Sequence, residues 1–257
     1  MGIVTLFSDF GLQDASAGIA RGILMQHVPL SRIIDITHEV QPFNLKQAAY
    51  LLGAAYKNFP KGTFHLLLFD VYASKVPKLV LSEYDGHFFL SPDNALLPEA
   101  VQDTIAHSWV CMEMGKTHSF HDWLHSAGAV IAGATRGIDP TAFPEFKLKE
   151  YKPKVYALPY NEAHDVIHID EFENVTIDFT RALYDQLAPG KTFSLKFTQV
   201  EEINEVRDNY SDVREGYKLC RFNSNGYLEI CINHGKAASL FGLKLGGKNN
   251  NIKISFT

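Results

Sequence analysis

Three short apolar runs ahead of Asp70, IVTLF, RIIDI and TFHLLLF, are separated by segments whose apolar residues recur on helical spacing. That alternation constrains the fold more than any other feature. Val4–Phe7 reads as a strand, and Ser16–His27 carries Ile19, Ile23 and Leu24 on one helical face. Arg32–Ile36 reads as a second strand. Asn44, with Gln47 three residues later, is a capping-box pattern. Behind it Leu45, Ala48, Ala49, Leu52, Ala55, Tyr56 and Phe59 form one stripe, stopped by Pro60 and Gly62. TFHLLLFD then reads as a strand covered on both faces, and KLVLSEYDGHFFLSPDN predicts a hairpin turning at Asp85-Gly86. A β-α-β-α-β order implies a mostly parallel sheet with helices on its faces.

The pattern changes after about Gly137. DPTAFPEFKLKEYKPK is rich in proline and lysine and reads as a connection. Beyond it DVIHID, TFSLKF, EEINEV, YKLCRF, YLEICI and NIKISF alternate, separated by turn signals such as Pro189-Gly190 and Asn225-Gly226. The expected organisation is α/β: a mostly parallel α/β sandwich domain over 1–145, a linker over 146–160, and a small all-β domain, barrel or sandwich, over 161–257.

Composition narrows the function classes. The 257 residues are 46% hydrophobic and 21% charged with a net charge of -5, so no broad basic field offers itself to nucleic acid or an anionic membrane. A small ligand remains, because a local pocket need not follow the net charge. Three scattered cysteines, Cys111, Cys220 and Cys231, fit neither a disulfide framework nor a thiolate zinc site. No signal-type stretch opens the chain, and no apolar run reaches about 18 residues. The expectation is a cytoplasmic protein.

Two strands end in aspartate, IVTLFSD at Asp9 and FHLLLFD at Asp70, and Asp35 lies inside IIDIT. A single strand-end Asp is ordinarily a turn or helix cap. Two on one sheet point to a shared polar site beyond the carboxyl ends of the strands, where open α/β sheets bind ligands. Phe10-Gly11 permits a tight turn after Asp9, and an acceptor-only carboxylate there suits a vicinal diol. In THSFHDWLHSAGAVIAGA, Phe120, Trp123, Leu124, Ala127, Val130, Ile131 and Ala134 form a helical core stripe, with His118, His121 and His125 along one flank. Those histidines read as exposed or capping groups, as metal ligands with Asp122, or, for His121 at the helix start, as an acid/base or water-orienting group. Asp93 and Asn94 sit in the turn LSPDNALLP. In the second half Asp170, Asn174, Ser224 and Asn233 are short hydrogen-bonding residues at strand ends.

In order and spacing, TLFSDFGLQD, IIDITHEVQPFNLKQAAYLL, FPKGTFHLLLFD, FLSPDNALL, SFHDW, HIDEFENVTID and NSNGYLEICINHGKAASLFGL resemble the S-adenosylmethionine hydroxide adenosyltransferases, relatives of the fluorinases and chlorinases. The resemblance covers nearly the whole chain. It implies an α/β domain followed by a β domain, and cleavage of S-adenosylmethionine by water at the ribose C5′ to give adenosine and methionine, with no cofactor and no metal. Carried over residue by residue, it implies that Asp9 binds the ribose hydroxyls and that Asp70 and His121 belong to an Asp-Arg-His set that positions the water. Asp170 and Ser224 would hold the methionine amino and carboxylate groups, Asn174 and Asn233 the adenine edge, and Phe172 would pack on the purine. It also implies a homotrimer with the nucleoside between one subunit's α/β domain and its neighbour's β domain.

The chain departs from the family pattern at three places. Asp70 is followed by VYASKVPKLV, where the family has a Pro-Gly-Val-Gly turn and then an Arg. Lys78, or Lys75, is the substitute cation, though an ammonium is not a planar fork. His121 is followed by Asp122-Trp123-Leu124 in place of Gly-Arg-Asp, which places a bulky or charged group beside the water site. His234 stands where a small or polar residue is common. A slow hydrolase is therefore expected, with chloride and fluoride disfavoured by the Asp70 charge. The competing expectations are a non-enzymatic S-adenosylmethionine or adenosine binder and a metal-dependent hydrolase built on the histidine flank.

Overall fold

The computed structural model describes residues 2–105, 107–113, 119–136, 147–148, 163–246 and 250–257. The chain divides into two compact units, Met1–Tyr156 and Ala157–Thr257.

In the first unit the elements run β1 (Ile3–Ser8), α1 (Ser16–His27), β2 (Arg32–Thr37), α2 (Leu45–Tyr56), β3 (Phe64–Leu68), β4 (Lys78–Tyr84), β5 (His87–Pro92), α3 (Leu96–Val101), β6 (His107–Glu113), α4 (Phe120–Thr135) and β7 (Lys147–Leu148). Among the described residues they form one sheet in the order β2-β1-β3-β5-β4-β6-β7. Strands β2, β1, β3 and β5 are mutually parallel, and β4, β6 and β7 extend the sheet antiparallel. The short strand β7 falls inside the stretch read as a linker; the rest of that stretch lies outside the described residues.

Helix α2 and the β4–β5 hairpin each rest on a local device. Asn44 caps α2 by accepting from the Gln47 backbone N at 3.1 Å. Gln47 does not return the bond: its Oε1 accepts from Gln41 N at 2.7 Å, which ties down the loop before the helix. The hairpin β4–β5 turns through Asp85 (φ 48) and Gly86 (φ 71), both left-handed as a two-residue hairpin turn demands. Strand β3 is buried along its whole length because helices cover both faces. One layer sets Leu6, Leu66 and Leu68 against Leu24 of α1 and Trp123, Leu124 and Ile131 of α4. The other sets Phe7, Leu67 and Phe89 against Ala48 and Leu52 of α2 and Leu96 of α3.

The second unit contains β8 (Ala163–His164), β9 (Val166–Ile169), β10 (Val175–Thr180), α5 (Arg181–Leu187), β11 (Phe193–Lys196), β12 (Glu202–Ile203), β13 (Val206–Arg207), β14 (Lys218–Phe222), β15 (Tyr227–Ile232), α6 (Ala237–Phe241) and β16 (Ile252–Phe256). Its two sheets, β13-β14-β15-β10-β9 and β12-β11-β16-β8, close on one core that includes Ile177, Phe179 and Ile230 from the first and Phe193, Leu195 and Ile254 from the second. That is a sandwich. The helices α5 and α6 are too short for periodicity to announce. Among the described residues no helix is long and apolar enough to cross a membrane.

Candidate functional site

The first unit assembles a polar cluster at the carboxyl edge of its parallel strands. Ser8 of β1 lies in register with Leu68 of β3, so both chains leave the sheet at the same height. Asp9 then turns back, and its Oδ2 accepts from the Asp70 backbone N at 3.1 Å. Asp70 sits at φ 42, a left-handed conformation that non-glycine residues adopt at functional sites more than elsewhere. Burial pushes the Asp9 carboxyl above its ordinary value, opposed by the Asp70 N–H and its own N–H; the Asp70 charge adds to the upward push. These two N–H groups leave about half of the carboxylate's acceptor positions open.

Neighbouring loops fix this edge. Asn94 Nδ2 donates to the Phe69 carbonyl at 2.6 Å, and its Oδ1 accepts from Leu96 N at 3.2 Å, which ties the β5–α3 connection to the residue before Asp70. Phe10 meets Phe120 edge to face with centroids 5.1 Å apart, which brings the first turn of α4 to the Asp9 turn. His121, in that first turn, is exposed. The flanking residues do not crowd it as the sequence suggested. Trp123 is in the core at 1% exposure, and the Asp122 carboxylate closes a capping box on Ser119, accepting from its N at 2.9 Å and its Oγ at 2.8 Å.

The candidate cations are less well placed. Lys78 begins β4, level with Phe69 through the pairings of β3, β5 and β4, two strands or roughly 10 Å to the side. Lys75 is exposed between Asp70 and β4. Of the histidine flank, His125 Nδ1 lies 3.0 Å from His27 Nε2 on α1, and His118 lies outside the described residues. Among the described residues, no group of three or more His, Cys, Asp or Glu converges as metal ligands would.

The second unit carries a cleft of about 650 Å³ lined by Asp170, Phe172, Asn174, Tyr210, Asn233 and His234, among others. The turn after β9 is folded by Asp170, whose Oδ1 accepts from Asn174 N at 2.8 Å and whose Oδ2 accepts from Asn174 Nδ2 at 2.9 Å. Asn174 Nδ2 also faces the Tyr210 hydroxyl at 3.4 Å, so its carbonyl oxygen is the end left for a ligand. Asn233 Nδ2 donates to the Val213 carbonyl at 2.8 Å, which again leaves the oxygen. Phe172 is 76% exposed at the rim. Ser224 is exposed in the β14–β15 turn and does not line this cleft. Beneath the cleft Glu229 is 7% exposed. Burial raises its carboxyl, while Asn223, Arg221 and Tyr210 favour the charge. Burial also pushes the Tyr210 phenol up to about 12.

Comparison with known proteins places the chain in a family. The SAM hydroxide adenosyltransferase N-terminal domain matches residues 4–137, and the SAM hydroxide adenosyltransferase C-terminal domain matches residues 164–249. The chain belongs to the SAM hydroxide adenosyltransferase family. An (R)-S-adenosyl-L-methionine hydrolase of Salinispora tropica is 23% identical, with 95% of each chain covered. Another, of Methanocaldococcus jannaschii, is 26% identical over 89% of this chain and 87% of its own. The crystal structure of an uncharacterized conserved protein from Thermotoga maritima is 25% identical, with a TM-score of 0.77 over 98% of this chain and 99% of that one.

In this member of the family, the two units also hold residues that sequence reasoning passed over. Phe43 is 81% exposed at φ 63, a costly backbone for an aromatic, in the loop after β2. Its position before the Asn44 cap was the only available signal. Tyr210 was hidden because its partner Asn174 is far away in sequence, and Asn94, read only as a turn residue, finds Phe69 across the sheet edge.

Proposed function

We propose that this chain binds S-adenosylmethionine and cleaves it with water at the ribose C5′, giving adenosine and L-methionine. The observation that carries the reading is the convergence of Asp9 and Asp70 at the carboxyl edge of β1 and β3, where open α/β sheets hold ligands. Relatives named as S-adenosylmethionine hydrolases support it.

Asp9 accepts from the two ribose hydroxyls and so fixes C5′ relative to Asp70. The water oxygen bonds to C5′ as the C5′–S bond breaks, and methionine leaves with the electron pair as a neutral thioether. Asp70 and His121 orient that water and take up its proton. Holding oxygen, carbon and sulfur in line removes much of the entropic part of the barrier. Positive charge disappears from sulfur as the bond breaks, so apolar surroundings favour the transition state. No cofactor or metal enters this scheme. The Asp70 charge repels chloride and fluoride as competing nucleophiles. With Lys78 in place of a planar guanidinium, the water is held less firmly and turnover is slow.

In the second unit Asp170 takes the methionine amino group, the Asn174 and Asn233 oxygens take the adenine edge, and Phe172 packs on the purine, while Ser224 reaches the carboxylate from the β14–β15 turn outside the cleft. The same reading makes the protein a cytoplasmic homotrimer. Its three cysteines are free, and Leu12, Phe43 and Tyr72 on the first unit and Phe172 on the second are exposed apolar surface for another copy to cover.

The test is chromatographic detection of adenosine and methionine from S-adenosylmethionine, against the Asp70→Asn/His121→Ala double variant as background. Product above that background, surviving chelation, supports the hydrolase. Equal traces would leave a binder, and activity lost on removal of about one zinc per chain would move the chemistry to the histidine flank.

A further inference from the structure

The turn that carries Asp9 is held from two sides by one residue. His38, just beyond β2 and 3% exposed, places its Nδ1 2.6 Å from Ser8 Oγ. Its backbone carbonyl accepts from Gly11 N at 2.7 Å. The other ring nitrogen, Nε2, lies 3.3 Å from Asp35 Oδ1, within ion-pair distance but without the alignment of a hydrogen bond. Asp35 is in turn gripped by Arg21, whose Nε lies 3.0 and 2.9 Å from the two carboxylate oxygens. Ser8 Oγ is 3.4 Å from Phe10 N.

For a neutral imidazole the inventory of donors and acceptors allows one arrangement. A carboxylate only accepts, so the imidazole nitrogen facing Asp35 carries the hydrogen. Nδ1 is then a lone pair, the Ser8 O–H donates to it, and the Ser8 oxygen is left to accept from the Phe10 N–H. The backbone is thus tied on both sides of Asp9, at Ser8 and Phe10 through the imidazole and at Gly11 through the carbonyl. Acid, histidine and serine in this order resemble a hydrolytic triad, but Ser8 is 0% exposed. Its hydroxyl reaches no ligand and serves as a strut.

We propose that His38 is a positioning residue for Asp9, the Arg21–Asp35–His38–Ser8 relay holding the turn so that the carboxylate meets a nucleoside's vicinal hydroxyls already oriented. The proposal rests on the reading of Asp9 as the ribose acceptor. A pre-set carboxylate lowers the ordering cost of binding. It acts alike on substrate and transition state, so its loss falls on KM and spares kcat.

The experiment compares His38→Ala, His38→Asn, Asp35→Asn and Asp9→Ala by calorimetric adenosine affinity, by KM and kcat for S-adenosylmethionine, and by thermal melting. His38→Ala should weaken adenosine binding and raise KM about tenfold, with kcat within about threefold, the scale of one lost hydrogen bond. His38→Asn keeps an acceptor near the Nδ1 position for Ser8 and should recover part of that loss. Asp35→Asn is exposed and spares the core, so it keeps the test alive if His38→Ala fails to fold; it should raise KM about threefold. A purely structural role would lower the melting temperature of the His38 variants with no split between KM and kcat, and that result overturns the proposal. If Asp9→Ala loses affinity while Asp35→Asn and the His38 variants bind like the parent, the proposal falls and the ribose reading stands. If Asp9→Ala binds adenosine as the parent does, the two fall together.

Discussion

The backbone N–H of Asp70 donates to Asp9 Oδ2 at 3.1 Å, so the ends of two adjacent parallel strands are joined through the side chain of one and the main chain of the other. The contact sets the Asp9 carboxylate above the sheet edge and holds Asp70 at its left-handed φ of 42. A change at Asp9 therefore touches both halves of the proposed chemistry.

Binding should report Asp9 first. Charge-assisted hydrogen bonds to two hydroxyls are worth about 1.5–3 kcal/mol each, so Asp9→Ala should weaken adenosine binding by roughly one to several orders of magnitude. Burial lifts the Asp9 carboxyl above its ordinary value. On acidification the acceptor should therefore be lost earlier than for an exposed aspartate. Calorimetry across a pH series checks this: affinity independent of pH down to the usual carboxylate range would remove Asp9 from the site.

Turnover should separate the water-handling residues from the nucleoside-binding ones. Asp70→Asn keeps a side chain that tolerates the left-handed backbone, and His121→Ala removes an exposed ring. Each should lower the rate of adenosine formation by about a hundredfold, the low end of general acid–base contributions. Adenosine affinity should stay within about tenfold. Lys78→Met should slow turnover without weakening adenosine binding. A loss of affinity equal to the loss of rate would show that these residues hold the nucleoside instead.

Acid stability should turn on a buried histidine pair. His65 is fully buried, with Nδ1 2.7 Å from Thr5 Oγ1 and Nε2 3.1 Å from His87 Nδ1. Burial, and then His87, push its pKa down to about 3. The unfolded chain takes up a proton near the ordinary histidine value while the folded chain refuses it, so stability present at neutral pH is lost as pH falls from about 6.5 toward 3. Denaturant midpoints should drop over that interval. His65→Asn keeps an acceptor for Thr5 and should flatten the slope by up to about 1.4 kcal/mol per pH unit. An unchanged slope would place the proton uptake elsewhere.

Two helix glycines should respond with opposite signs. A Cβ on Gly53 of α2 would stand 2.8 Å from the Ala100 carbonyl oxygen, which is backbone and does not step aside. On Gly22 of α1 it would meet nothing within 4 Å. Gly22→Ala should stabilise by about 0.5–1 kcal/mol through helix propensity. Gly53→Ala should destabilise by about 1–3 kcal/mol through overpacking. Thermal melts of both variants check the pair, and a gain at Gly53 would mean that α2 and α3 can move apart.

The sequence by itself determined whatever depends on residues close together in the chain. The periodicity of Ser16–His27, the apolar run before Asp70 and the Asp85-Gly86 turn appear where they were read, and the stripe behind Asn44 does so as far as Tyr56, short of Phe59. The aspartates at two strand ends were enough to suggest a shared site. Tertiary structure decided the rest, because those features depend on which distant groups meet. Gln47 serves Gln41 instead of its own cap, and Asp122 is spent on Ser119. His125 turns to His27 across two helices, and His38 finds Ser8 only because β1 and β2 lie side by side. A hydrogen-bond donor in a loop has many candidate acceptors along the chain, and only the packed sheet, by burying some and aligning others, leaves it one.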